Sequence, residues 1–159
     1  MHGPASGGAE PTLDAKVSFL SGPDAYPSPG GVIRRETHMS WVFLVGDQVY
    51  KLKKPVRFPY LDFSTLDRRE AACRAELLLN RALAPDVYLD VVPLVDTGAG
   101  LAIGGAGKPV DWLVVMRRLD DHAATRDAVE ILVELVRFLL DPRRHSRGCV
   151  DVSEGRLNW

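Results

Sequence analysis

Two cysteines, Cys73 and Cys149, are all that the 159 residues contain, and neither lies in a Cys-x-x-Cys or Cys/His cluster. A disulfide framework and a structural zinc site are therefore both excluded as organising features. Charge of one sign is equally scarce, because 20 basic residues face 21 acidic ones for a net charge of −1. That balance gives no electrostatic footprint for nonspecific binding of nucleic acid or an anionic membrane. Long apolar runs are missing too: the stretch Trp112 to Met116 is far below the ~20 residues needed to cross a bilayer. The opening dozen residues, MHGPASGGAEPT, have neither a basic region nor an apolar one, so they read as a disordered tail (1–12) and not as a signal peptide, and a cytoplasmic location is expected. What remains is ordinary globular usage, 46% hydrophobic and 26% charged, in a chain long enough for one core and too short for two domains of usual size.

Along the chain, Leu13 to Leu20 reads as a short helix with Asp14 in its first turn and Ser21-Gly22-Pro23 as its stop. From Val32 the composition turns β-branched and aromatic: Val32-Ile33, Trp41 to Val45 and Gln48 to Lys53, with Gly46-Asp47 as a two-residue hairpin turn between the last two. Ser64 offers an N-cap, and no Gly or Pro interrupts the next stretch until Pro85, which predicts a long helix. Val87 to Val95 and Val110 to Leu119 read as further strands, joined by a Gly-rich turn in which Leu101 to Ile103 is a candidate short strand. A last helix is expected over Thr125 to Leu140, followed by an irregular tail, 142–159. Three strands, a helix, two strands and a helix, with tight strand connections, predict an α+β fold: a five-stranded antiparallel sheet with one packed helix, plus a C-terminal helix at 121–141.

Two segments invite a chemical reading. Gly104-Gly-Ala-Gly-Lys-Pro109 looks like a phosphate loop, but Ala102 stands where the first glycine belongs, Pro109 where a Ser or Thr would hold magnesium, and a strand follows instead of a helix. It reads as a hairpin turn. The second is the third strand, where Val49, Lys51 and Lys53 share one face and Tyr50 and Leu52 the other. A lysine on a covered strand face is expensive unless an anion meets it. On the helix that follows, Ala72, Ala75, Leu79, Ala82 and Leu83 form an apolar arc with Glu76 at its edge, while Glu70 pairs with Arg74 at i,i+4 on a wet face. Glu76 is thus the carboxylate expected to reach the sheet. A strand lysine held by a helix carboxylate is the device with which kinases present an ammonium group to ATP phosphates.

The segments Thr37-His-Met-Ser-Trp-Val-Phe43, Tyr50-Lys-Leu-Lys-Lys-Pro55, Leu61-Asp-Phe-Ser-Thr-Leu66 and Leu79-Asn-Arg-Ala-Leu-Ala-Pro85 together resemble the N-terminal part of a bacterial aminoglycoside-phosphotransferase-like family, whose members are often fused to a P-loop ATPase or gluconate-kinase-like domain. The resemblance covers roughly residues 13 to 120 and implies a kinase-like N-lobe with ATP as cofactor. Carried over residue by residue, it implies that Lys51 is the nucleotide-binding lysine, with Lys53 as alternative, and that Glu76 is its helix partner, with Glu70 as alternative. Thr37-His38-Met39-Ser40 stands where kinases have their glycine-rich loop, although it has no glycine, and makes His38 a candidate nucleotide contact. Met116-Arg117-Arg118-Leu119 resembles the hinge, where backbone groups of Met116 and Arg118 would meet adenine.

Phosphoryl transfer also needs a base and metal-binding carboxylates, which this fold carries on its larger lobe. Asp120-Asp121-His122 has the residue types in the wrong order, and Asp141, Asp151 and Glu154 stand alone; no catalytic and no metal-binding residue is assigned. The expectation is a truncated phosphotransferase-like protein with little or no transfer activity alone. The alternative is a noncatalytic interaction module, binding a partner protein or a second copy through the last helix, whose polar stripe (Asp127, Glu130, Glu134, Arg137, Asp141) leaves most of its circumference apolar.

Overall fold

The computed structural model of the protein describes residues 10–27 and 30–119. The last helix and tail expected from the sequence, and the acidic residues within them, lie outside the described residues.

Thr12 starts the first helix, α1 (Leu13–Ser21), by accepting a hydrogen bond from the Ala15 N–H through its hydroxyl. It therefore belongs to the folded domain and not to the expected tail. Gly22-Pro23 ends α1, as Pro23 cannot continue it, and a single 3-10 turn, Pro23–Ala25, carries the chain to Tyr26. Strands β1 (Val32–Glu36), β2 (Ser40–Val45) and β3 (Gln48–Lys53) form an antiparallel meander. Gly46 takes φ +56° in the β2–β3 turn, a left-handed backbone that two-residue hairpins favour and side chains resist. A small hairpin, β4 (Arg57–Phe58) and β5 (Leu61–Asp62), then leads into helix α2 (Leu66–Leu83). The N-cap of α2 is Thr65 and not Ser64: the Thr65 hydroxyl accepts from the Arg68 N–H, while both the amide and the hydroxyl of Ser64 donate to Asp62 Oδ1. The short Asx link to Asp62 takes Ser64 out of the cap position.

Beyond α2 come β6 (Tyr88–Asp96), β7 (Leu101–Ile103) and β8 (Lys108–Arg117). The main sheet runs β1-β2-β3-β8-β6-β7 with every neighbour antiparallel. It has six strands where the sequence predicts five, since Leu101–Ile103 adds to the edge of β6 through the register Leu94↔Ile103 to Asp96↔Leu101. The phosphate-loop look-alike is the β7–β8 turn. Its Gly107 meets the β6 backbone so closely that a Cβ there would lie 2.7 Å from the Asp96 carbonyl oxygen. Close approach, not phosphate, accounts for that glycine.

The sheet is covered on both faces. Tyr50 and Leu52 of β3 join Phe43, Leu94, Leu113 and Val115 in the larger core, closed by Val17 and Leu20 of α1 and by Tyr26. On the opposite face, Val91 and Val114 pack with Cys73 of α2. No helix among the described residues is long and apolar enough to cross a membrane.

The seating of α2 departs from its apolar arc. Its buried residues are Arg69, Cys73, Glu76 and Asn80, whereas Leu83 is 66% exposed and Ala75 and Ala82 face solvent. At 100° per residue the buried stripe lies about a quarter turn from the arc read off the sequence. The reason is ionic: two carboxylate-centred clusters between α2 and the sheet draw the polar ridge of the helix inward.

Candidate functional site

The first cluster is built from β3 and α2. Period-2 alternation puts Lys51 and Lys53 on the face that α2 covers, and one carboxylate meets both: Lys51 Nζ donates to Glu76 Oε1 at 2.8 Å and Lys53 Nζ to Glu76 Oε2 at 2.5 Å. All three are buried, with 8%, 5% and 9% of Lys51, Lys53 and Glu76 exposed. Lys53 Nζ also lies 5.1 Å from the Phe63 ring centroid, a cation–π contact that shields it further. Lys53 is thus a second ligand of the same carboxylate. Glu70 stays on the outer side of α2, where its Oε1 accepts from Arg74 Nε at 2.8 Å.

The charges of this cluster do not balance. Burial pushes the Glu76 carboxyl upward, but the two ammonium groups and their hydrogen bonds outweigh it and hold the group at about 2. Glu76 is therefore an anion at any physiological pH, set against two buried amines. For Lys51, burial and the like charge of Lys53 prevail over the attraction of Glu76 and lower its pKa below the ordinary lysine value. The site holds more positive charge than its single carboxylate neutralises, and Lys51 is the group that bears the strain.

Beside the cluster, burial is the main reason the Cys73 thiol is pushed up to about 12. It should behave as an inert core thiol. In the folded protein at pH 8, iodoacetamide is expected to leave Cys73 unlabelled, with peptide mass mapping showing modification only after denaturation. One turn beyond Glu76, Asn80 is fully buried, and its amide has no hydrogen-bond partner among the described residues.

The β1–β2 turn lies at the Lys53 end of the site, since Ser40 pairs with Lys53 across the ladder and Lys54 N–H donates to the Met39 carbonyl. The turn is held by its own side chain: Thr37 Oγ1 accepts from the Ser40 N–H at 3.0 Å. His38 is exposed on it. At the other end of the strands, Met116 sits on β8 between Val49 and Tyr88 and packs on the Cys73 cluster. The backbone N–H groups of Arg117 and Arg118 are already engaged, donating to the Val87 and Asp47 carbonyls. Only Lys51, Lys53 and Glu76 are brought into direct contact; His38, Met116 and Arg118 are placed at the ends of the strands around them.

A second cluster has no signal in the sequence pattern. Asp111 is 1% exposed, and its Oδ2 accepts from Lys16 Nζ at 2.9 Å while its Oδ1 accepts from Arg69 Nε at 2.8 Å and from the Trp112 N–H at 3.0 Å. Lys16 comes from α1, Arg69 from α2 and Asp111 from β8, next to a shift of the β6–β8 register that opposes Leu94 to Asp111 but Val95 to Pro109. The extra residue, Val110, is a β-bulge that redirects the strand locally. No group of three His, Cys, Asp or Glu side chains among the described residues could hold a metal ion.

Comparison with known proteins gives uncharacterized relatives. An 87-residue segment is 45% identical to an uncharacterized protein of Mycobacterium bovis and to uncharacterized proteins of two strains of Mycobacterium tuberculosis. The segment is 55% of this chain and 16% of each relative, so the chain spans a small part of the length of the curated proteins it matches. No family model matches the chain. No solved structure matches it either.

Proposed function

We propose that residues 13–120 form a nucleotide-binding lobe of the kinase-like type, as the N-terminal part of an ATP-dependent phosphotransferase, with Lys51 and Lys53 meeting the phosphates and Glu76 holding them in place. One observation carries this reading: two buried ammonium groups share one buried carboxylate. A buried cation in excess is unfavourable until an anion joins it, and a phosphate chain is the anion that suits a strand lysine paired with a helix glutamate. The lysine lies on the third strand and its partner on the next long helix of the chain, as that arrangement requires. The β1–β2 turn beside Lys53 is suitably positioned to cover a phosphate, and His38 is the side chain on it that could reach one. At the Met116–Arg118 end the fit is looser, because two backbone donors are already engaged; adenine would have to meet other groups of that segment. The acceptor substrate and the catalytic carboxylates belong to the whole protein and are not assigned.

Isothermal titration with Mg-ATP, wild type against Lys51→Ala, tests the proposal. Lys51→Ala leaves a neutral Lys53–Glu76 pair, so the fold should persist while affinity falls about tenfold or more, equivalent to ~1.4 kcal/mol. Affinity should also fall as pH rises through the lowered Lys51 pKa, because the deprotonated amine no longer attracts phosphate. Equal affinity for the two proteins would sink the proposal. Absence of nucleotide binding together with concentration-dependent dimerisation would favour the noncatalytic interaction module instead.

A further inference from the structure

We infer that the cleft above Lys16, Arg69 and Asp111 is a second anion-binding site, separate from the Lys51–Glu76 cluster, which takes a small molecule with a phosphate or carboxylate head group. The cleft has a volume of about 390 Å³, and these three side chains are part of its lining. The rest of the lining mixes apolar side chains, Pro11, Leu13, Pro55 and Leu66, with polar ones, Glu10, Ser64 and Thr65.

Charge and donor counting support the assignment. Lys16 and Arg69, both more than nine-tenths buried, share one buried carboxylate, and the other acid of the lining, Glu10, is exposed and 3.8 Å from Lys16 Nζ. Three donors already converge on the two oxygens of Asp111, which uses most of its roughly four acceptor positions. The cations have donors to spare. Lys16 Nζ uses two of its three hydrogens, on the Val110 carbonyl at 2.8 Å and on Asp111. Arg69 spends Nε on Asp111 and Nη1 on the Phe63 and Ser64 carbonyls, and its Nη2 makes no hydrogen bond among the described residues. Thr65 and Leu66, at the start of α2, also line the cleft, so the positive end of that helix adds to the field.

The chain itself shows where an oxyanion would approach. Glu10, on the cleft rim and 61% exposed, brings Oε1 to 3.8 Å from Lys16 Nζ, too far for a hydrogen bond. An exposed surface carboxylate at that distance is a weak partner. An incoming phosphate or carboxylate would displace it and bind closer, using the spare donors of Lys16 and Arg69.

The experiment follows the Arg69 Nε–Hε resonance of the isotope-labelled full chain during titration with inorganic phosphate and, separately, sodium acetate. A saturable shift with either supports the site, and the tighter ligand identifies the preferred head group. Glu10→Gln removes the competitor from a solvent-facing position and is expected to tighten binding several-fold. Lys16→Met leaves a neutral Arg69–Asp111 pair and is expected to weaken it about tenfold or more. Lys51→Met should leave the Arg69 response unchanged. An Arg69 resonance that neither anion moves, a response that survives Lys16→Met undiminished, or one that disappears in Lys51→Met would each overturn the inference.

Discussion

Replacing Asp111 by alanine is expected to destabilise the protein by ~3–5 kcal/mol, the range for breaking a buried ionic group by removing one partner. The loss has two parts. Lys16 and Arg69, both buried, lose the carboxylate they share, leaving only the exposed Glu10 at 3.8 Å from Lys16, and the tie between α1, the β8 bulge and α2 is cut. At ~2–8 °C per kcal/mol for domains of about 60 to 250 residues, the change is large enough to unfold a marginal protein at growth temperature. Chemical denaturation of wild type and Asp111→Ala measures it directly. Asp111→Asn separates charge from shape, since the amide keeps the volume and one acceptor but not the anion. If the cluster acts through charge, Asp111→Asn should lose most of what Asp111→Ala loses; near-wild-type stability would show that packing dominates.

The second large effect is at Glu76. Glu76→Gln leaves Lys51 and Lys53 buried side by side without their shared anion, and again a loss of ~3–5 kcal/mol is expected. This variant has a pH signature. In the wild type the carboxyl is held at about 2, below its unfolded value of 4.5. The unfolded chain therefore binds the proton more readily between those values. The contribution of Glu76, about 3 kcal/mol, is complete above pH 4.5 and lost as pH falls toward 2. Lys51 works in the opposite range. Its folded pKa lies below the ordinary 10.5, so in the alkaline interval up to that value the unfolded chain holds more protons, and stability rises with pH. Glu76→Gln should thus be most damaged near neutrality and partly recover in alkali, as Lys51 sheds its proton. The double variant Lys51→Met/Glu76→Gln should regain much of the loss at neutral pH, giving a coupling energy that a double-mutant cycle can read. A Glu76→Gln deficit that is flat across the alkaline range would contradict the charge imbalance on which the proposed nucleotide site rests.

The two clusters share one lesson about helix α2. Its most apolar surface, through Ala75, Ala82 and Leu83, faces outward, while Arg69, Glu76 and Asn80 face the sheet. Amphipathicity reports where a helix prefers water when nothing else competes. Here the competing term is a pair of ionic contacts made with residues 42 and 25 positions away in the chain. A periodicity within one helix cannot register partners at that distance.

Local signals determined a good deal by themselves. The β2–β3 hairpin follows from Gly46-Asp47 between two β-rich runs, α2 from its uninterrupted helix-forming stretch before Pro85, and the common face of Lys51 and Lys53 from strand alternation. The pairing of Lys51 with Glu76 was also legible, since an amine on a covered face needs an anion and the following helix offers few. Only tertiary structure decided the rest: that one carboxylate serves both lysines, that a sixth strand extends the sheet at β6, and that Lys16, Arg69 and Asp111 meet at all. Those three residues come from separate elements and have no shared spacing, so their meeting depends on the bulge at Val110 and on how two helices settle against opposite faces of one sheet. Secondary structure is written in neighbours a few residues apart. The balance of buried charge is set by groups that become neighbours only when the chain folds.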